Sequence, residues 1–317
     1  MKHAFTMAEI LLSLTIIGVV AAITLPSLTG NINERTWNTQ RKALYARFSQ
    51  AIALMPSLNG YGTLTPETSS DAGDAVDTAA ETFVTSGLAK VLKINNICDN
   101  EHLEDCGIAS KITTLDGSSV INLEDIETLF QYNSWFNNSA YYHSQLDTKA
   151  AAFETANGEC ILVYYNPFCT ANLNENRNNY SQPKMCANFV YDLNGSKGPN
   201  SVGKDIGAIS VLYATDPVVV APMPLPKNSS AYGEWSGIKK ACAKDDSDSR
   251  GPNIDELSSM FYNGQIFGLS SAYGFWSSSI VTSDSSKAWW HSFITGQRSP
   301  LAKDAVANGR YLRCIKR

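Results

Sequence analysis

Residues 5–28, FTMAEILLSLTIIGVVAAITLPSL, contain one charged side chain, Glu9, and no charge at all from Ile10 to Leu25. A helix of this length reaches about 36 Å, enough to cross a bilayer core of about 30 Å, so the sequence predicts a transmembrane helix over 5–28. An acid inside lipid costs a few kcal/mol on insertion scales, so Glu9 calls for a compensating partner. The competing reading is a removable export signal, with Lys2 as its charged start and Val20-Ala21-Ala22 as a weak cleavage site. That reading fits poorly, because the apolar run continues to Leu25 and the acid stands at its front.

The pattern also runs on past Pro26. Trp37, Leu44, Phe48, Ala51, Ile52 and Met55 recur at helical spacing, while Arg35, Arg41, Lys42 and Arg47 occupy other faces. A long helix over 5–55, apolar first and amphipathic later, is therefore expected. The basic residues after the apolar run outnumber Lys2 before it, opposite to the usual charge bias across a membrane.

Lys2-His3-Ala4, then Phe5-Thr6-Met7-Ala8-Glu9, then an apolar run with Gly18 midway and Pro26 near its end, resembles the N-terminus of type IV pilins and type II secretion pseudopilins. The resemblance implies removal of a leader (1–4) by a prepilin peptidase, with cleavage between Ala4 and Phe5 and N-methylation of Phe5. It implies storage in the bacterial inner membrane as a single-pass protein with its C-terminus outside, then assembly with other subunits. Glu9 would pair with the α-amino group of a neighbour's Phe5, and Gly18 and Pro26 would loosen the helix between them. Ala4 departs from the glycine usual in the family.

The remaining composition excludes other classes. Net charge is −5 with no basic cluster, which argues against nucleic acid as a partner. The four His are scattered and show no zinc spacing. All seven Cys lie at or beyond position 98, behind an export-like start, which suggests disulfides. Cys98 and Cys106 bracket a short acidic loop and are expected to pair. Cys160 begins the strand-like run CILVYY and reads as a buried thiol. Cys169 and Cys186 are further disulfide candidates whose pairing stays open.

Residues 56–217 read as a globular head. A polar loop (56–80) leaves the helix, 81–94 has helical rhythm, and strands dominate from about 110, including ITTLDGSSVIN with its Asp-Gly turn. A long helix followed by a small antiparallel sheet also resembles a pilin head. Within it, YDLNGSKGPNSVGKDIG offers Asp192, Asn194, Asn200 and Asp205 as hard oxygen ligands among flexible turns, a candidate calcium site. The loop resembles D-x-N-G…G-x-D loops of some pilin and pseudopilin heads. The plainer reading is a strand followed by Asx turns.

Four prolines between 217 and 227 mark residues 218–233 as an extended linker. Beyond it, 234–317 is rich in Trp and Ser, with Cys at 242 and 314 only. Asn253 is placed to cap a helix running to Phe261. Cys242, Asp255-Glu256-Leu257, Phe275-Trp276-Ser277-Ser278-Ser279, Ala288-Trp289, Phe293, Gly296 and Arg313-Cys314 resemble the C-type-lectin-like modules of bacterial collagen-like adhesins. The resemblance implies a Cys242–Cys314 disulfide and a surface that binds protein or glycan. Of Trp289 and Trp290, one is expected to face inward and the other to form a ligand platform.

The expected fold class is α+β: a long transmembrane and amphipathic helix on a pilin-like antiparallel sheet, followed by a C-type-lectin-like module. No nucleophile–base constellation is visible, so a non-enzymatic role is expected. The leading expectation is a minor, tip-type subunit of a type IV pilus-like filament presenting a module for adhesion. The alternative is a pseudopilin of a type II secretion system that serves protein export.

Overall fold

The computed structural model describes residues 7–59, 79–122, 150–165, 184–213, 219–222, 224, 226–245, 249–264, 274–294, 296–305 and 310–316. The chain divides into two compact units, residues 1–44 and 45–317.

Helix α1 spans Met7–Asn59. Among the described residues, no helix is long and apolar enough to cross a membrane. This contradicts the transmembrane segment expected over 5–28 and argues against a single-pass inner-membrane anchor. Helix α1 instead runs on without a break into a stretch carrying Glu34, Arg35, Arg41, Lys42 and Arg47, charges that a bilayer core does not take. The second half of α1 behaves as its periodicity requires, with Phe48, Ala51, Ile52 and Met55 all buried.

In the larger unit, six strands form one antiparallel sheet in the order β1-β4-β5-β6-β7-β8. They are β1 (Ile94–Cys98), β4 (Ala151–Thr155), β5 (Cys160–Tyr165), β6 (Lys184–Asp192), β7 (Ile206–Tyr213) and β8 (Val219–Pro222). A separate hairpin joins β2 (Lys111–Thr113) to β3 (Val120–Asn122) through the Asp116-Gly117 turn, where Gly117 takes a positive φ of 71°. The expected helical stretch after residue 80 is a short helix, Ala79–Thr82, continued by single π and 3₁₀ turns to Lys90.

Both faces of this sheet are covered, which is why CILVYY reads as an unbroken apolar run rather than an alternating one. On one face, Phe48 of α1 lies edge-on to Phe189 at 4.8 Å and stacks near Phe153, while Phe83 stacks on Tyr165 at 4.4 Å. On the other face, Leu162, Val190, Ala208 and Leu212 share a core with Leu257, Met260 and Phe261. Those last three belong to helix α3 (Ile254–Tyr262), which follows the shorter α2 (Ile238–Asp245).

Helix α3 in turn covers a second sheet, of order β10-β14-β11-β12-β13, with β9 added alongside β14. Its members are β9 (Pro226–Tyr232), β10 (Ser249–Arg250), β11 (Gly274–Val281), β12 (Asp284–Ser292), β13 (Arg298–Ala302) and β14 (Arg310–Lys316). The Pro-rich stretch expected as a linker over 218–233 is thus mostly strand, with β8 closing the first sheet and β9 flanking the second. Proline is tolerated there because both are edge strands, and Pro222 and Pro226 occupy strand ends.

A buried polar cluster joins α3 to the first sheet. Asn188 and Asn263 exchange amide hydrogen bonds of 2.9 and 3.2 Å, and Ser210 donates to Asn188 Oδ1 at 2.8 Å. Ser210 and Ser259 hydroxyls meet at 2.9 Å. All four residues are fully buried, so each polar group finds its partner within the cluster.

Candidate functional site

The loop from Asp192 to Ile206 is the most unusual polar environment in the described residues. Strand β6 ends at Asp192, a 3₁₀ turn covers Gly195–Lys197, the Gly198–Pro199 peptide is cis, and Asn200 adopts a positive φ of 51°. Asp205 organises this path. Its two buried carboxylate oxygens accept the backbone N–H groups of Asn200 and Ser201, each at 2.9 Å. Asn194 donates its backbone N–H to Asp192 Oδ1 at 3.2 Å and its side-chain amide to the Gly198 carbonyl at 2.7 Å.

Three acceptor oxygens are left over: Asp192 Oδ2, Asn194 Oδ1 and Asn200 Oδ1 are buried with no hydrogen-bond partner. Oxygens buried without a donor are costly. Burial, reinforced by the negative Asp205, pushes the Asp192 carboxyl up to about 7 against the lowering effect of its backbone hydrogen bonds. A proton or a cation would relieve it. Among the described residues no group of three or more His, Cys, Asp or Glu is placed to hold a metal. The oxygens present are of the hard type that suits calcium, and two of the three are neutral amides. Of the residues singled out in the sequence, Asp192 and Asn194 offer unused oxygens, Asp205 is spent on the backbone, and Asn200 takes its place.

Cys160 sits beneath this loop, opposite Asp192 in the β5–β6 register. It is free and buried, as its place on a strand predicts. Burial first, then the carboxylates of Asp192, Glu154 and Glu159, push its thiol up to about 12, so it stays protonated and unreactive. Gly107 and Gly195, both at positive φ, close over it, and a Cβ on Gly107 would lie 3.0 Å from its sulfur.

Two disulfides link pairs of described residues, Cys98–Cys106 and Cys242–Cys314. Cys186 is also disulfide-bonded, while Cys169 lies outside the described residues. Covalent links of this kind persist in oxidising compartments.

Trp276 is fully buried, but Trp289 and Trp290 are both half-buried on alternate faces of β12. Trp290 packs against the Ile238–Cys242–Trp276 cluster and lies over Gly274, where a Cβ would come within 1.9 Å of its ring. One face of Trp290 is therefore occupied, which leaves Trp289 as the better platform candidate. Ala4 and Phe5 lie outside the described residues, as do the side chains of Glu9 and Pro26. Gly18 is exposed on α1, with nothing near its missing Cβ.

No family model matches the chain, and no curated protein matches it.

Proposed function

We propose that this protein is a non-enzymatic subunit of a type IV pilus-like filament, of the tip type, in which residues 234–317 form a lectin-like recognition module for adhesion. The observation that carries the reading lies on α1. Leu11, Leu14, Ile16, Ile17, Val19 and Val20 are each 53–64% exposed. At 100° per residue these positions point around the full circumference. A helix apolar on all sides needs cover, and like helices from neighbouring subunits supply it. The spacing of Ala4, Phe5 and Glu9 supports the same reading, with a prepilin peptidase as processing partner. The closure of the C-terminal module supports its lectin-like assignment: β9 pairs with β14, and Cys242–Cys314 ties α2 to that last strand.

The test is Glu9→Ala in cells that express the protein, with immunogold labelling of surface fibres. Loss of labelled fibres at unchanged protein level is expected. Normal incorporation of the variant overturns the reading.

Calcium is the cation proposed for the 192–205 loop, with Asp192, Asn194 and Asn200 as side-chain ligands. Bound there, it would supply the positive charge that their unpaired oxygens lack and would stiffen the loop; no chemistry is assigned to it. Purified protein should melt at a higher temperature in calcium than in chelator, and Asp192→Asn should remove most of the difference. An equal response in the variant argues against the site.

A further inference from the structure

Arg47, Arg250 and Arg298 each hold a carboxylate: Glu159, Glu256 and Asp255 respectively. Arg313 does not. It lies on β14, where Tyr311, Arg313 and Ile315 alternate with Leu312 and Cys314. Tyr311 and Ile315 face the core of Phe275 and Phe293, while Leu312 and Cys314 face the Trp276 cluster. The guanidinium carbon of Arg313 stands 4.4 Å from the centroid of the Phe275 ring. Its Nε and Nη1 are buried and have no acceptor. The residue as a whole is half-buried.

A guanidinium does not lose its proton in a protein, so its charge must be met by something. Burial disfavours that charge at Arg313, with no opposing carboxylate effect. The ring beneath it offers an attractive face but no hydrogen-bond acceptor. What is missing is an oxyanion, and a carboxylate matches guanidinium donors in charge and geometry.

We propose that Arg313, with Phe275 as its apolar floor, anchors a binding site for a carboxylate-bearing ligand on the second sheet. The site does not depend on whether the chain enters a filament, so it is tested on the purified full chain. Thermal melting is followed in sodium acetate against sodium chloride at matched ionic strength. Acetate should raise the melting temperature by about 2–4 °C over chloride in a saturable way, and Arg313→Gln should abolish that difference. In ¹⁵N-labelled wild-type protein the Arg313 Nε–H resonance should move with acetate along the same curve, a readout that needs no variant to fold. An equal acetate effect in Arg313→Gln, or a resonance that does not move, overturns the proposal. A larger Arg313-dependent shift with inorganic phosphate than with acetate overturns the choice of carboxylate.

Discussion

Arg47 on α1 and Glu159, in the tight turn between β4 and β5, form a two-pronged ion pair across 112 residues of sequence. Glu159 is nearly buried and also accepts the Thr155 hydroxyl, so the turn and the helix meet at one carboxylate. Removing one partner strands the other charge. Glu159→Ala should lower stability by about 2 kcal/mol, because Arg47 stays partly solvated, and the double change Arg47→Met with Glu159→Leu should recover much of that loss. Urea denaturation of the three proteins checks it: a double variant no more stable than Glu159→Ala contradicts the account.

The Cys242–Cys314 bridge closes a loop with a sequence separation of 72 residues. Chain entropy assigns such a loop on the order of 4 kcal/mol. Replacing both cysteines by serine should therefore lower the melting temperature markedly, and reductant, which also opens the other bridges, should lower the wild type at least as far. Cys160 should stay unreactive toward a thiol reagent in the folded protein and react only after unfolding.

Helix α3 begins with a complete capping box. Asn253 Oδ1 accepts the Glu256 N–H at 2.8 Å, and the Glu256 carboxylate accepts the Asn253 N–H at 2.8 Å while also holding Arg250. Asn253→Ala should cost about 1 kcal/mol, and Asn253→Ser much less. Equal losses in chemical denaturation would count against a capping role.

Two buried groups give stability opposite pH dependences. Burial, aided by the charge of Arg298, pushes His291 down to about 3. The unfolded chain takes up that proton below about 6.5 and the folded chain does not. The contribution of His291 is therefore present above about pH 6.5 and lost as pH falls toward 3. Asp192 behaves in reverse: its folded value of about 7 lies above the unfolded value of about 4, so its contribution is present below pH 4 and lost as pH rises through 7. His291→Phe should reduce the acid-side loss and Asp192→Asn the loss between pH 4 and 7, measured in chelator. Unchanged pH profiles of the urea midpoint would contradict both assignments.

Local chemistry made much of this fold legible. CILVYY announces a strand, Asp116-Gly117 a turn, Asn253 a helix start, and the short spacing of Cys98 and Cys106 their bridge. Each is written within a few residues or in the side-chain chemistry itself. The sequence by itself determined the α+β class, the central strands and several turns, and an apolar helix that cannot cover its own surface. Only the tertiary structure decided that the Pro-rich stretch forms edge strands, since pairing depends on partners as distant as Ile209 and Ile315. It alone decided that Asp205 binds the backbone while Asn200 is left with a free oxygen, that Trp290 is covered by Gly274, and that Arg313 lacks a carboxylate. These outcomes depend on which polar atoms share a buried volume, and no spacing along the chain encodes that.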